Sequence, residues 1–364
     1  MAARKEKSFS NKTPRQLGFR MPAEWEPHAA TWIAWPHNPE DWPRRFAPIP
    51  WVYADIVRHL AAGEDVRILV NDAQHEAKAR KTLQDAGVET VRVFFHRQPT
   101  DRVWTRDSGA IFVTNGKELG ACEWKFNAWA KYPDWRKDVK VAGRMVKEAK
   151  ARSWQPEVEL GAKRKRVVLE GGSIDVNGRG LLLTTEECLL SEVQVRNPGM
   201  SREEYEQVFA EYLGIEKVIW LKRGIVGDDT HGHVDDLARF VDAQTIVLAA
   251  EPDREDENHD ILQENLELLR NTTDQTGGRL KVVMLPMPRP VVICGQRVPA
   301  SYANFYVANR RVLVPTFNDP NDRVAMNTLA ELFPGREVVG IHCGDFIWGL
   351  GAIHCMTQQQ PSTG

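Results

Sequence analysis

The sequence predicts an α/β protein in which about five small αβ units repeat around a shared centre. Three observations lead there. A strand, tight turn and strand recurs, and each copy opens on a polar residue that a plain β-hairpin does not need. These polar leads keep step: Asp107 to Glu170 is 63 positions, Glu170 to His233 another 63, His233 to Asn304 71, and Asn304 to Cys355 51. Between copies the pattern turns helical and then into a short apolar strand, so the repeat is a mixed unit of about 60 to 70 residues.

Taken in order, residues 1–20 read as a polar, loosely ordered leader ahead of one catalytic domain over 21–361. A helix over 51–62 with a buried strand at 66–70, and a helix over 73–86 with a strand at 91–95, come first. Arg106-Asp107-Ser108-Gly109 then leads into a strand at 110–114 that turns at Asn115-Gly116, and Glu170-Gly171-Gly172 into one at 173–176 that turns at Asn177-Gly178 and runs on to 185. Asn-Gly is the strongest two-residue hairpin signal, because both central residues must take positive φ. Ser201 with Glu204 forms a capping box for a helix that stops at Gly214, before a strand at 217–221. His233-Val234-Asp235 leads into strands at 237–241 and 245–249, followed by a helix at 261–270 and a strand at 280–285. Tyr302-Ala303-Asn304 leads into strands at 305–308 and 312–315, a helix at 323–333 and a strand at 337–341. His354-Cys355 is the last polar cluster, and residues 358–364 read as a tail. Such units cannot close a core singly, and five around a ring bring their leads together. The plainer alternative is a chance run of hairpins in an ordinary α/β sheet.

Composition narrows the partners. With 48 basic and 50 acidic residues, net charge is −2, which gives no electrostatic reason to bind nucleic acid or an anionic membrane. The five cysteines, Cys122, Cys188, Cys294, Cys343 and Cys355, are scattered and make no CxxC pair. That fits a reducing compartment. No apolar run reaches the roughly 18 residues of a membrane span, and the first residues lack a signal-peptide core. The expectation is a cytoplasmic protein with a small-molecule partner; a homodimer is left open.

Together the leads carry Asp107, Glu170, His233, Asp235, Asn304 and Cys355. Cys355 is the one strong nucleophile, and a histidine oriented by a carboxylate supplies the acid and base that thiol catalysis needs. Two further carboxylates suit a cation. A guanidinium, a planar fork of N–H donors, can be held by two carboxylates with its carbon face open.

Each residue also has a plainer explanation. Cys355 could be an inert core thiol, although Gly349 and Gly351 before it suit a backbone that passes close to a ligand. The run from Asp228 to Asp236 could bind a metal through His231, His233 and Asp235, which alternation would place on one face of an extended segment. It could equally be a solvated acidic loop. Arg106-Asp107 could be a surface ion pair and Glu170-Gly171-Gly172 a strand end. Trp104 and its fellow tryptophans are ordinary core residues unless Trp104 walls an alkyl chain. Recurrence at matched places in a repeat argues against reading these residues separately.

At these residues the sequence resembles the agmatine deiminase family of the guanidine-modifying, or pentein, superfamily, in its bacterial form. The resemblance runs through MPAEWEPH at 21–28, TWIAWP at 31–36, WTRDSG at 104–109, FNAW at 126–129, LEGGSI at 169–174, TTEECLL at 184–190, GHVD at 232–235, SYANFY at 301–306 and IHCMTQQQP at 353–361. It implies a five-bladed α/β propeller and hydrolysis of agmatine to N-carbamoylputrescine and ammonia, in putrescine formation, without metal or organic cofactor. It also implies Cys355 as nucleophile, His233 as general acid and base, Glu170 as its partner, and Asp107 and Asp235 as the guanidinium clamp. Trp104 and Asp229 would hold the chain and distal amine, and Asn304 would support the site. His231, Asp175 and Ala130-Lys131 depart from the pattern of the plant enzymes. The alternatives are a deiminase of another guanidine such as peptidyl or free arginine, a binding module without turnover, and a metal hydrolase.

Overall fold

The computed structural model describes residues 12–363. The repeated units are present as five small mixed sheets. In four of them a hairpin supplies two antiparallel strands, and a helical crossover returns the chain to a third strand parallel to the second. These are Ile111–Thr114, Leu119–Cys122 and Arg152–Trp154; Asp175–Val176, Leu181–Thr185 and Lys217–Leu221; Ala238–Phe240, Thr245–Ala250 and Lys281–Pro286; and Tyr306–Val307, Arg311–Thr316 and Glu337–His342.

The fifth sheet is assembled from distant parts of the chain, and it corrects one expectation. Residues 358–361 are not a tail: Gln358–Pro361 is a buried strand pairing antiparallel with His28–Ala34, which runs parallel to Asp65–Val70, itself parallel to Val93–Arg97. Three consecutive glutamines read as solvated, but Gln360 accepts from the Trp32 indole at 3.0 Å and Gln359 from Arg106 at 2.7 Å. Side-chain partners, invisible in local composition, make the burial of these two tolerable. Of the expected leader, residues 1–11 lie outside the described residues. Further on, Phe19 is buried against the Trp154 ring, and Arg20 exchanges backbone hydrogen bonds with Thr114, so the packed region starts before residue 20.

Local chemistry explains the elements. The helix Arg202–Leu213 carries the expected capping box and ends at Gly214 with φ 73°. Its buried residues Tyr205, Val208, Phe209, Tyr212 and Leu213 share one face at helical spacing. Strand Leu181–Thr185 is buried along its whole length, as strands covered on both faces are. Side chains from sheet and crossover, such as Leu183, Ile246, Leu248, Leu262 and Leu266, pack as one apolar cluster, each contributing roughly 1.5–3 kcal/mol on burial.

What positions the site is a set of tight turns. Four polar leads sit at single turns just before the first strand of their unit: Thr105–Ser108, Gly171–Ser173, Val234–Asp236 and Tyr302–Asn304. Successive turns touch. The His354 N–H donates to the Asn304 carbonyl at 3.1 Å and the Arg106 N–H to the Cys355 carbonyl at 3.2 Å, so each lead contacts the next and the last contacts the first. Among the described residues no helix is long and apolar enough to cross a membrane.

Candidate active site

These turns bring Asp107, Glu170, His233, Asp235, Asn304 and Cys355 together, all of them buried, at and beneath the floor of a cavity of about 250 Å³ that Asp107 and Cys355 line. The Asn304 amide donates to Cys355 Sγ at 3.1 Å and to Asp236 at 2.9 Å, and the Cys355 thiol donates to Asp235 Oδ2 at 3.8 Å. Burial, and then the carboxylates of Asp235, Asp236 and Asp107, push the Cys355 thiol well above its usual range. These effects favour the protonated thiol at rest.

His233 lies among acids without a close hydrogen bond on either ring nitrogen. Nδ1 is 3.9 Å from Asp107 and 4.0 Å from Asp235, and Nε2 is 3.8 Å from Glu170. Burial would lower its pKa, but Asp107, Cys188 and Glu170 together raise it well above the usual imidazole value. Gly172 permits this crowding, since a Cβ there would lie 2.6 Å from His233 Nδ1 and 2.9 Å from Asp107. His233 immediately precedes a tight turn, so residues 231–235 do not form the extended segment that alternation suggested. His231, at φ 67°, faces Ser191 and Glu187 instead, and the proposed His231, His233 and Asp235 ligand trio is not assembled.

Glu170 has a second partner that sequence reasoning missed. Arg196 donates to its two oxygens at 3.1 and 3.4 Å, and both side chains are fully buried. Burial opposes ionisation of Glu170, but Arg196 and then His233 hold its pKa below the ordinary value. Cys188, from the TTEECLL stretch, is not among the site residues that the sequence suggests. Its sulfur lies within 4.8 Å of ligand atoms of both Glu170 and His233. Those three, and likewise Asp235, Asp236 and Cys355, are close enough to bind a metal. Glu170, however, already carries the Arg196 cation, and Asp235 is engaged by His354.

Asp107 is a strained charge. Burial is the main reason its pKa rises to about 7, with Asp235 and Glu170 adding to the rise and His233 opposing it. Its hydrogen bonds come from the Trp129 indole at 3.0 Å and the Gly172 N–H at 3.2 Å. The indole is delivered by a strained loop: Ala128, Trp129 and Ala130 have φ of 51°, 58° and 54°. Three non-glycine residues in the left-handed region cost about 1–2 kcal/mol each, and strain of this kind clusters at functional sites. The FNAW motif was visible in the sequence, but its bond to Asp107 was not.

The mouth is built differently. Its walls include Trp104, Trp129, Tyr132 and Trp348, and its acids are Glu40, Asp41 and Asp229, with Arg102 among them. Trp104 fits against Gly351, where a Cβ would meet its ring at 2.8 Å and Cys355 Cβ at 3.1 Å. Asp229 is already engaged, by Lys131 at 3.0 Å and by the Tyr132 hydroxyl at 2.5 Å. Asp41, absent from the sequence-derived candidates, accepts from Arg102 at 3.1 Å through Oδ1, whereas its buried Oδ2 has no partner. Burial raises its pKa to about 7 despite Arg102.

The chain is similar to known proteins over almost its whole length. The Porphyromonas-type peptidyl-arginine deiminase family profile matches residues 20–361. Agmatine deiminase of Ectopseudomonas mendocina is 37% identical, over 96% of this chain and 97% of its own. The structure of Enterococcus faecalis agmatine deiminase superimposes with a TM-score of 0.90 at 32% identity, covering 99% of this chain and 100% of that one. C. jejuni agmatine deiminase, as a cysteine-to-serine variant with substrate bound, gives 0.82 at 29% identity, covering 94% and 96%. This chain therefore belongs to the Porphyromonas-type peptidyl-arginine deiminase family, with agmatine deiminases among its relatives.

Proposed function

We propose that this protein hydrolyses agmatine to N-carbamoylputrescine and ammonia, using Cys355 as a covalent nucleophile within a single domain whose five units form a propeller. The observation that carries the reading is the charge imbalance at the cavity floor. Asp107, Glu170 and Asp235 converge on a buried thiol and one imidazole, and whereas Glu170 has Arg196 and Asp235 has His354, Asp107 is hydrogen-bonded among the described residues only by the neutral Trp129 indole and Gly172 N–H. A guanidinium supplies that charge and matches two carboxylates with its N–H fork.

The chemistry follows from the charges. An arriving guanidinium favours the Cys355 thiolate, whose proton leaves to solvent. Sulfur attacks the guanidinium carbon, protonated His233 gives its proton to one nitrogen, and ammonia departs to leave a thiouronium. Neutral His233 then takes a proton from water, hydroxide adds to the same carbon, and collapse, with the hydroxyl proton passing to solvent, releases the ureido product and the thiolate. Asn304 steadies the sulfur, while Glu170 keeps His233 basic enough to reload.

The aromatic walls suit a four-carbon chain, and the acidic mouth suits a distal ammonium. Asp41 is the better receptor than Asp229 because one oxygen is free, whereas Lys131 and Tyr132 already occupy Asp229. The family description names peptidyl-arginine. A cavity of only about 250 Å³ with a buried carboxylate at its mouth favours a small free amine over a peptide. A reducing cytoplasm fits the free Cys355 thiol. The test is to incubate pure protein with agmatine, arginine, an arginine peptide and a methylated arginine, measuring ammonia and ureido product. Agmatine should turn over best; efficient turnover of the peptide without agmatine turnover would overturn the substrate assignment.

A further inference from the structure

Next to the nucleophile in sequence, His354 is buried and occupies neither the cavity nor the chemistry just described. Its ring spans two carboxylates, with Nδ1 2.6 Å from Asp235 Oδ2 and Nε2 2.7 Å from Glu24 Oε2. A neutral imidazole has one N–H, so two such short contacts to carboxylates call for both nitrogens to donate. Glu24 is itself anchored by Arg239 at 3.0 Å, Arg106 at 3.3 Å and the Val307 N–H at 2.8 Å. Beyond His354, Asp235 has its other oxygen, Oδ1, buried and without a hydrogen-bond partner.

We propose that His354 is a positioning residue: as an imidazolium held by Glu24, it engages Oδ2 of Asp235 and thereby presents Oδ1 to the substrate guanidinium. The inference rests on the deiminase reading for its ligand, but its geometry is independent of turnover. The pKa directions agree. Burial would raise the pKa values of Glu24 and Asp235, yet both are lowered, with Arg239 and His354 the main counterweights for Glu24 and His354 for Asp235. The arrangement also ties the residue before Cys355 to the first part of the domain, through Glu24 in the MPAEWEPH segment.

Two substitutions separate positioning from simple packing. Asparagine at 354 places an amide donor near the position of Nδ1 and keeps the Asp235 contact, while glutamine places it near Nε2 and keeps only the Glu24 contact. Agmatine affinity should be measured by calorimetry in a Cys355→Ala background, so that binding is read without turnover, with near-ultraviolet circular dichroism reporting the fold. Losing a charge-assisted hydrogen bond predicts that His354→Gln weakens binding by roughly 10- to 100-fold, and His354→Asn by less than about 10-fold. With Cys355 intact, the acid limb of kcat/KM should move to higher pH in His354→Gln, because Asp235 loses its cationic partner. Equal affinities for the two variants, or tighter binding by His354→Gln, would overturn the proposal. If His354→Gln fails to fold, Glu24→Gln serves instead, with the same upward shift of the limb expected and an unmoved limb contradicting it. Absence of turnover by the wild-type protein would fault the deiminase reading, whereas indistinguishable variants would fault only the role of His354.

Discussion

The floor and the mouth of the cavity are both acidic, yet they are made in opposite ways. Floor carboxylates stand on tight turns at matching places in repeated units, are buried, and are fixed by named partners: Trp129 for Asp107, Arg196 for Glu170, His354 for Asp235. Mouth residues come from irregular connections, around residues 40, 132, 229 and 348, and their bonds are mostly with each other. A repeated turn can hold reacting groups to the tolerance that catalysis demands, while loops outside the repeat are free to define what lies beyond the guanidinium.

The largest expected effects are therefore at the floor. Asp107→Asn and Asp235→Asn should each lower kcat/KM for agmatine by at least about 100-fold, from a lost charge-assisted hydrogen bond of roughly 1.5–3 kcal/mol together with misalignment of the carbon. Steady-state ammonia release checks this. Activity within a few-fold of wild type in either variant would mean that the clamp is elsewhere.

Next comes the proton donor. Glu170 and Cys188 both raise the His233 pKa, and His233 must be protonated to expel ammonia. Removing either should move the high-pH limb of the rate profile to lower pH. Glu170→Gln should also cost turnover because Arg196 loses its counter-charge, whereas Cys188→Ala should shift the limb with a smaller change in maximal rate. Profiles that superimpose on wild type would make both residues structural.

At the mouth the effect should be smaller and selective. Asp41→Asn should raise KM for agmatine by about 10-fold, the scale of one partly desolvated ionic hydrogen bond, with kcat nearly unchanged. For butylguanidine, which lacks the distal amine, it should change little. An equal loss for both compounds would place Asp41 with the floor.

How much of this could be read from the sequence follows the same division. The leads were legible because a repeat places unlike residues at like positions, and Asp107, Glu170, His233, Asp235, Asn304 and Cys355 do meet in space. Local pattern also located the helix Arg202–Leu213 and its cap. Gln358–Pro361 was missed because its partner, His28–Ala34, lies more than 300 positions away, and polar composition outweighed a pairing that no local window contains. Arg196, Glu24 and Asp41 were missed for a related reason: they act through single long-range contacts with nothing repeating around them. His231 was misplaced because a left-handed backbone breaks the alternation on which the expected face depended.

The smallest expected effect concerns stability. Asp41, Asp107 and Asp138 have folded pKa values of about 7, raised above the unfolded value chiefly by burial. The folded state binds more protons than the unfolded state between the two values, so their contribution is favourable at low pH and is lost as pH rises through about 7. His233, raised above its usual value, has the same sign at higher pH. Tm should therefore fall from pH 6 to pH 8.5, and agmatine should reduce that fall by supplying the missing cation. A Tm that rises over this range would contradict the charge balance assigned to the floor.

The proposed mechanism turns on a covalent bond between Cys355 and the guanidinium carbon of agmatine. The direct measurement is rapid acid quench of the wild-type protein during turnover, followed by mass spectrometry of the intact chain and its Cys355 peptide. A covalent mechanism gives a transient species heavier by agmatine less ammonia, located on Cys355 and absent from Cys355→Ala, which should still fold and bind agmatine. Ammonia release by Cys355→Ala at a rate near wild type, or an adduct on another residue, would contradict it.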